Sequence, residues 1–213
     1  AVDVAVEKYI KEGLAELYPG VQFLGEEEKT RIDFDQPLWI LDPVDGTTNM
    51  MHHMRCSVIS LALSVHAETI FAVVYNPFTD ELFTAKKGEG AFLNGHRISV
   101  SDADKMDGSL IAVGTSPYNK SLAKETFPLF QSIFEQCADI RRFGVAALDC
   151  AYVACGRLDG YIERELKVWD MAAGILLVRE AGGVVSAFDG SEISFTENKG
   201  IAAGGAAMHA LLI

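Results

Sequence analysis

Asp42 and Asp45 stand three positions apart in the stretch LWILDPVDGTTNM, directly behind the apolar run of residues 38–41. Asp-Pro and Asp-Gly are turn dipeptides, so one reading is a strand that ends in a solvated turn. The other is a pair of metal ligands at the mouth of a buried strand. Pro43 restricts the backbone between them, so both carboxylates and the Val44 carbonyl can face one point. Oxygen donors of this kind suit a hard cation such as Mg²⁺. Gly46, Thr47 and Thr48 follow with backbone N–H groups, and a helical turn starting there would offer them to an anion.

Two other acidic segments bear on the same chemistry. LGEEEK places Glu26, Glu27 and Glu28 behind a short apolar strand, where a glutamate run is otherwise just a solvated loop. KVWDMAAG puts Asp170 at the start of an apolar helix, where an aspartate ordinarily serves as an N-cap. His52 and His53 have no partners of their own nearby in the chain and read as loop residues.

The elements that must position these residues follow from periodicity. VAVEKYIKEGLAELYPG sets Val6, Ile10, Leu14 and Leu17 at helical spacing and stops at Pro19-Gly20. Residues 57–65, 69–75 and 81–85 read as successive strands joined by short turn-rich links, which suits antiparallel hairpins or a meander. Asn94-Gly95 closes a further hairpin. From about residue 109 strands and helices alternate, including a helix with Phe130, Ile133, Phe134 and Cys137 on one face and a helix from Trp169 closed by Gly182-Gly183. The expectation is an α+β chain with α/β layering. It is one domain over residues 1–213, with an antiparallel-sheet layer in 1–105 and an α/β layer in 106–213.

Composition excludes several classes. A net charge of −12, with no basic cluster longer than Lys86-Lys87 or Arg141-Arg142, argues against direct nucleic-acid contact and against an anionic membrane surface. An anionic substrate would need bound cations to reverse the local sign. No apolar run approaches the ~18 residues of a membrane span, and no secretory signal opens the chain. The four cysteines form no C-x-x-C pair, so the expected state is reduced, mostly buried thiols in a cytoplasmic protein, without zinc. The chain lacks an initiator methionine and opens inside a helical pattern, so a natural N-terminal segment is expected to be missing from it.

Taken together, GEE, WILDPVDGTTN and WDMAAGILLVREAGG resemble the signatures of the inositol monophosphatase family, in the wider group of Mg²⁺-dependent, lithium-sensitive phosphatases. The motifs stand in family order, and the resemblance covers the chain from Asp3 onward. It implies a layered α-β-α-β-α sandwich, two to three Mg²⁺ ions, a small phosphate ester as substrate and a homodimer. It implies that Glu26 and Asp42, with the Val44 carbonyl, bind a first metal, and that Asp42, Asp45 and Asp170 share a second. Thr47 would work with Glu26 on the attacking water, and the Gly46 and Thr47 amides would hold the phosphate. Glu163 and the Ala146 backbone would meet the substrate alcohol, with Asp45 and Asp170 also facing substrate. Asp3 would support the metal centre.

The resemblance departs at Met50 and HHMRC, where the family commonly has an aromatic residue and Phe-Pro. It also departs before Asp3, where the family has a helix pair and a mobile loop, and in ERELKV, where Arg164 or Lys167 would meet a second anionic group. The reaction implied is transfer of a phosphoryl group to water from inositol monophosphate or a similar sugar or polyol phosphate. Alternatives are a fructose-1,6-bisphosphatase, a 3′-phosphonucleotide phosphatase, or a regulatory partner of the RNA-synthesis machinery.

Overall fold

Leu38–Asp45 forms β2, buried at every position, and it sets the frame for the rest. It is second in a seven-stranded sheet ordered β1-β2-β3-β4-β5-β6-β7. The other members are β1 (Gln22–Gly25), β3 (Val58–Val65), β4 (Glu68–Asn76), β5 (Glu81–Lys86), β6 (Gly90–Leu93) and β7 (His96–Arg97). β3 alternates buried and half-buried residues along its length, the period of a strand whose two faces meet different surroundings. Pro43 cannot donate to a ladder, and the β2–β3 register shifts between Asp42, opposite Ser60, and Asp45, opposite Val58, so Pro43 and Val44 form an irregularity that sets the two aspartates out of strict alternation. The computed structural model describes residues 2–27, 31–197 and 200–213.

The second sheet has five strands in the order β11-β12-β10-β8-β9. These are β8 (Leu110–Val113), β9 (Asp139–Arg141), β10 (Gly160–Glu163), β11 (Val184–Ser186) and β12 (Ile201–Gly204). β8 runs parallel to both β9 and β10, while β12 is antiparallel to β10 and β11.

Helices fill the layers. α1 (Val2–Leu17) packs on β2, and α2 (Thr47–Met51) is a single short helix behind it. α4 (Ala146–Ala154) and α5 (Val168–Glu180) pack on one another and on strands of both sheets, so they form the middle layer. α3 (Ala123–Phe134) and α6 (Ala206–Leu212) cover the second sheet. The result is the expected α-β-α-β-α sandwich. α4 and α5 are apolar nearly all round because a helix between two sheets has no solvent face. They approach closely at Gly174, where an added Cβ would lie 2.5 Å from the Cys150 Cβ. Ser60 donates to the Trp169 carbonyl and Thr69 to the Ala172 carbonyl, pinning the start of α5 to the first sheet.

Several local expectations differ from the structure. β1 pairs with β2 in parallel, because the polar connection of residues 26–37 is long enough to cross over where a hairpin link would not be. α3 ends at Phe134 and buries Thr126, Phe130 and Ile133. Phe134 is 54 % exposed and Cys137 lies beyond the helix, since the buried stripe centres between 126, 130 and 133. Leu17, expected on the apolar face of α1, is 72 % exposed. The Ala- and Gly-rich stretch that builds β12 and α6 carries little periodic contrast in the sequence. The cysteines are free thiols, but Cys150 alone is fully buried and the other three are half-buried. No helix of the described residues is long and apolar enough to cross a membrane.

Candidate active site

The end of β2, the start of α2, the end of β1 and the first turn of α5 meet on one side of the molecule. Asp42 and Asp45 are buried on β2. Gly46 joins β2 to α2 with φ +92, and a Cβ there would lie 2.7 Å from Val145 Cγ2, so both conformation and space require glycine. A helical turn does start here, with Thr47 as its first residue.

Each acid is held by the backbone through one oxygen. Asp42 Oδ1 accepts from the Val44 N–H at 2.9 Å. Asp45 Oδ2 accepts from the Ala147 N–H at 2.6 Å, at the N-terminal end of α4, and the Ala146 N–H also supports Asp45. Asp170 lies in the first turn of α5, after Lys167 as N-cap, and its Oδ2 accepts from the Lys167 N–H at 2.7 Å. It therefore closes the helix start without occupying the cap position. Thr47 Oγ1 donates to the Val44 carbonyl at 2.9 Å. Fixing one oxygen of a carboxylate orients the other, which is how outer partners prepare ligands.

The electrostatics of the cluster are one-sided. Burial pushes the carboxyls of Asp42 and Asp45 well above the usual range, and neighbouring acids push further: Asp45, Glu26 and Asp170 act on Asp42, and Asp170 on Asp45. Asp170 is raised to about 7, chiefly by burial. Glu26 is raised by burial and by Glu27, Asp3 and Glu7, while its carboxyl hydrogen-bonds that of Asp42. The charge of Asp3 is thus near enough to act on Glu26. Glu28 lies outside the described residues.

This donor set fits a hard divalent cation: oxygen atoms only, mutually repelling and already aimed, with Asp42 and Asp45 buried and Glu26 and Asp170 half-buried. Among the described residues, however, no three or more Asp, Glu, His or Cys side chains form a group able to enclose an ion as they stand. The trio Asp42, Asp45 and Asp170 is thus near enough to interact without closing. Mg²⁺ keeps several waters and takes few protein ligands, and the first expected set counts a carbonyl, so an open trio suits that ion.

Glu163 closes the floor of the site. Its Oε1 accepts from the Ser116 N–H at 2.6 Å and its Oε2 from the Tyr161 hydroxyl at 2.7 Å. It is 8 % exposed, near enough to raise Asp45 and Asp170. Lys167 lines a small cleft with Asp170, whereas Arg164 turns elsewhere, 3.5 Å from Glu125 and 4.5 Å above the Phe188 ring. Of the two expected partners for a second anionic group, only Lys167 is at the site.

A sequence model of the inositol monophosphatase family matches residues 1–213. The chain belongs to the inositol monophosphatase family. It is 45 % identical to Nus factor SuhB of Salmonella typhimurium over 190 residues, 89 % of this chain and 71 % of that one. It is 44 % identical to an inositol-1-monophosphatase of Rhizobium meliloti over 182 residues, 85 % and 68 % of the two chains. The structure of an inositol monophosphatase from Anabaena (Nostoc) sp. PCC 7120 superimposes with a TM-score of 0.93 at 36 % identity, covering 99 % of this chain and 83 % of that one.

Within this family fold, two buried acids were not singled out from the sequence. Glu7, 3 % exposed on α1, lies over Gly25, where an added Cβ would come within 2.0 Å of Glu7 Oε2, and it accepts from the Glu27 N–H at 3.2 Å. It backs the segment that carries Glu26. Its signal was present: Glu7 shares the helical face of Ile10 and Leu14. Asp149 is 1 % exposed on α4, raised by burial and by Asp45 and Glu163, with no hydrogen-bond partner for Oδ1 among the described residues. A lone acid in the apolar run VAALDCAYVACG was the available sign. Glu7→Ala is expected to free the Glu27 N–H and loosen Glu26, weakening Mg²⁺ affinity by roughly tenfold, the scale of an outer-partner loss. Calorimetric Mg²⁺ titration checks this; unchanged affinity would mean Glu7 only packs α1.

Proposed function

We propose that the chain is a Mg²⁺-dependent phosphomonoesterase that hydrolyses inositol monophosphate or a similar sugar or polyol phosphate. The observation that carries this is the convergence of buried Asp42 and Asp45 with half-buried Glu26 and Asp170 into a mutually repelling set, with one oxygen of each aspartate tied to backbone N–H. In this reading Glu26, Asp42 and the Val44 carbonyl hold one ion, and Asp42, Asp45 and Asp170 another. Bound Mg²⁺ supplies charge neutralisation of the phosphate dianion and acidification of water. The chain does the rest by orientation. Thr47 Oγ1, having donated its proton to the Val44 carbonyl, has lone pairs left to accept from a water molecule. Glu26, made more basic by burial and by its acidic neighbours, takes that water's proton. The Gly46 and Thr47 amides meet the phosphate oxygens, while Glu163 and the Ala146 backbone face the departing alcohol. The net change is ester plus water to alcohol plus phosphate.

A second reading, a binding role beside the transcription machinery, is favoured by the name Nus factor carried by the Salmonella relative. Phosphate release from myo-inositol 1-phosphate, fructose 1,6-bisphosphate and adenosine 3′,5′-bisphosphate, with and without Mg²⁺ and with added Li⁺, tests the first reading. Mg²⁺-dependent, Li⁺-inhibited release with preference for the inositol ester is expected. Silence across the panel would sink the phosphatase reading and leave the binding role.

A further inference from the structure

Tyr118 is 90 % exposed, the most exposed of the large side chains with an apolar body in the described chain. Exposure of that kind ordinarily marks a mobile tip, but the backbone around it is held. Ser116, two residues before, has φ +46 and is buried, a left-handed conformation that non-glycine residues keep only where the surroundings impose it. The surroundings do so here. The Ser116 N–H donates to Glu163 Oε1, the Glu165 N–H donates to Ser116 Oγ, and Asn119 Nδ2 donates to Glu165 Oε2 at 2.7 Å. The loop after β8 is thereby fastened, on both sides of Tyr118, to the connection between β10 and α5 that carries Lys167 and leads into Asp170.

The ring stands at the edge of the acidic centre. Tyr118 lines one cleft with Asn119, Glu165, Lys167 and Asp170. Its hydroxyl also feels the site carboxyls: beyond a partial loss of solvent around it, Glu26, Asp170, Asp42 and Asp45 raise it, in that order. A rigid aromatic with a polar tip, set over a hydrophilic centre, has one ready use. Its face covers apolar C–H surface and its hydroxyl bonds an oxygen, at the low entropic cost of two side-chain torsions. A cyclic polyol presents both kinds of surface, whereas free phosphate presents oxygens but no C–H face for the ring to cover.

Building on the phosphatase reading above, we propose that Tyr118 is a specificity-determining residue. Its ring covers the carbocyclic or sugar ring of the substrate alcohol and its hydroxyl bonds one of that alcohol's oxygens, opposite Glu163. It grips the leaving alcohol and does not touch the phosphoryl group.

The test is binding in the absence of turnover, with Ca²⁺ replacing Mg²⁺, by calorimetry on the whole chain. Tyr118→Ala is expected to weaken myo-inositol 1-phosphate about tenfold, the scale of one aromatic contact with its hydrogen bond, and Tyr118→Phe about threefold. Both variants should bind inorganic phosphate within about twofold of the parent. Under Mg²⁺ the same variants should raise KM with kcat little changed. Equal loss for the ester and for phosphate, or no loss for either, overturns the assignment. If the parent binds the ester through Tyr118 yet releases no phosphate, the phosphatase reading fails and the Tyr118 contact stands. If the parent binds neither probe, both fail.

Discussion

Asp42→Asn is expected to lower Mg²⁺-dependent phosphate release by about three orders of magnitude and to leave the fold intact or more stable. The activity loss follows from position: Asp42 is the acid that faces Asp45, Glu26 and Asp170 together, so it serves both ions in the proposed centre. Loss of a shared charged ligand removes several kcal/mol of transition-state stabilisation, roughly 4 kcal/mol for three decades. The fold survives because asparagine keeps the side-chain oxygen that accepts from the Val44 N–H. Stability holds or rises because the substitution removes a buried charge that its neighbours repel. Turnover near that of the parent would show that Asp42 holds no metal. A collapsed fold would show that the carboxylate is structural. The same variant separates the two functional readings, since a pure binding role should persist when the metal centre is disabled.

The second large effect is on stability, and its sign depends on metal. Asp170 has its carboxyl raised from 3.8 to about 7, and Asp42, Asp45 and Asp149 are raised in the same direction, chiefly by burial. An acid whose pKa is higher folded than unfolded binds its proton more tightly in the folded chain, so folding stability falls as pH rises from the unfolded value through the folded one. For Asp170 that window runs from 3.8 to about 7. The metal-free chain should therefore melt at a higher temperature near about pH 5 than near about pH 8. Mg²⁺ reverses the penalty, because a cation favours the ionised acids. At about 100 times its Kd, Mg²⁺ adds ~2.7 kcal/mol, a rise in Tm of about 5–10 °C for a chain of this size. Thermal melts at both pH values, with and without Mg²⁺, read this directly. Equal melting at the two pH values without metal, or no Mg²⁺ shift at the higher pH, would contradict a cation-binding acidic centre.

The placement of Asp42, Asp45 and Asp170 at a strand break and a helix start was legible because local chemistry determines it. Pro43 between two aspartates, Gly46 where φ must be positive, and an apolar run ahead of them define a strand, a break and a helical turn within a dozen residues. The same holds for Asp170, whose place in the first turn of α5 follows from helix periodicity. The layered sandwich was also legible, since alternation in the first half and strand-helix rhythm in the second are short-range patterns. What tertiary structure alone decided are contacts between distant segments. Glu7 lies behind Gly25 and Glu26 only because α1 packs across β2. Asp149 becomes a buried acid near Asp45 only because α4 lies between two sheets. Arg164 and Lys167 are three residues apart and equally charged in the sequence, yet β10 directs the first toward Glu125 and Phe188 and the turn into α5 leaves the second beside Asp170. Tyr118 carried no signal, because an aromatic in a polar loop takes its meaning from what the fold places beneath it. Periodicity and turn chemistry act over a few residues, whereas the field of a buried charge and the face of a ring act across space between segments far apart in the chain.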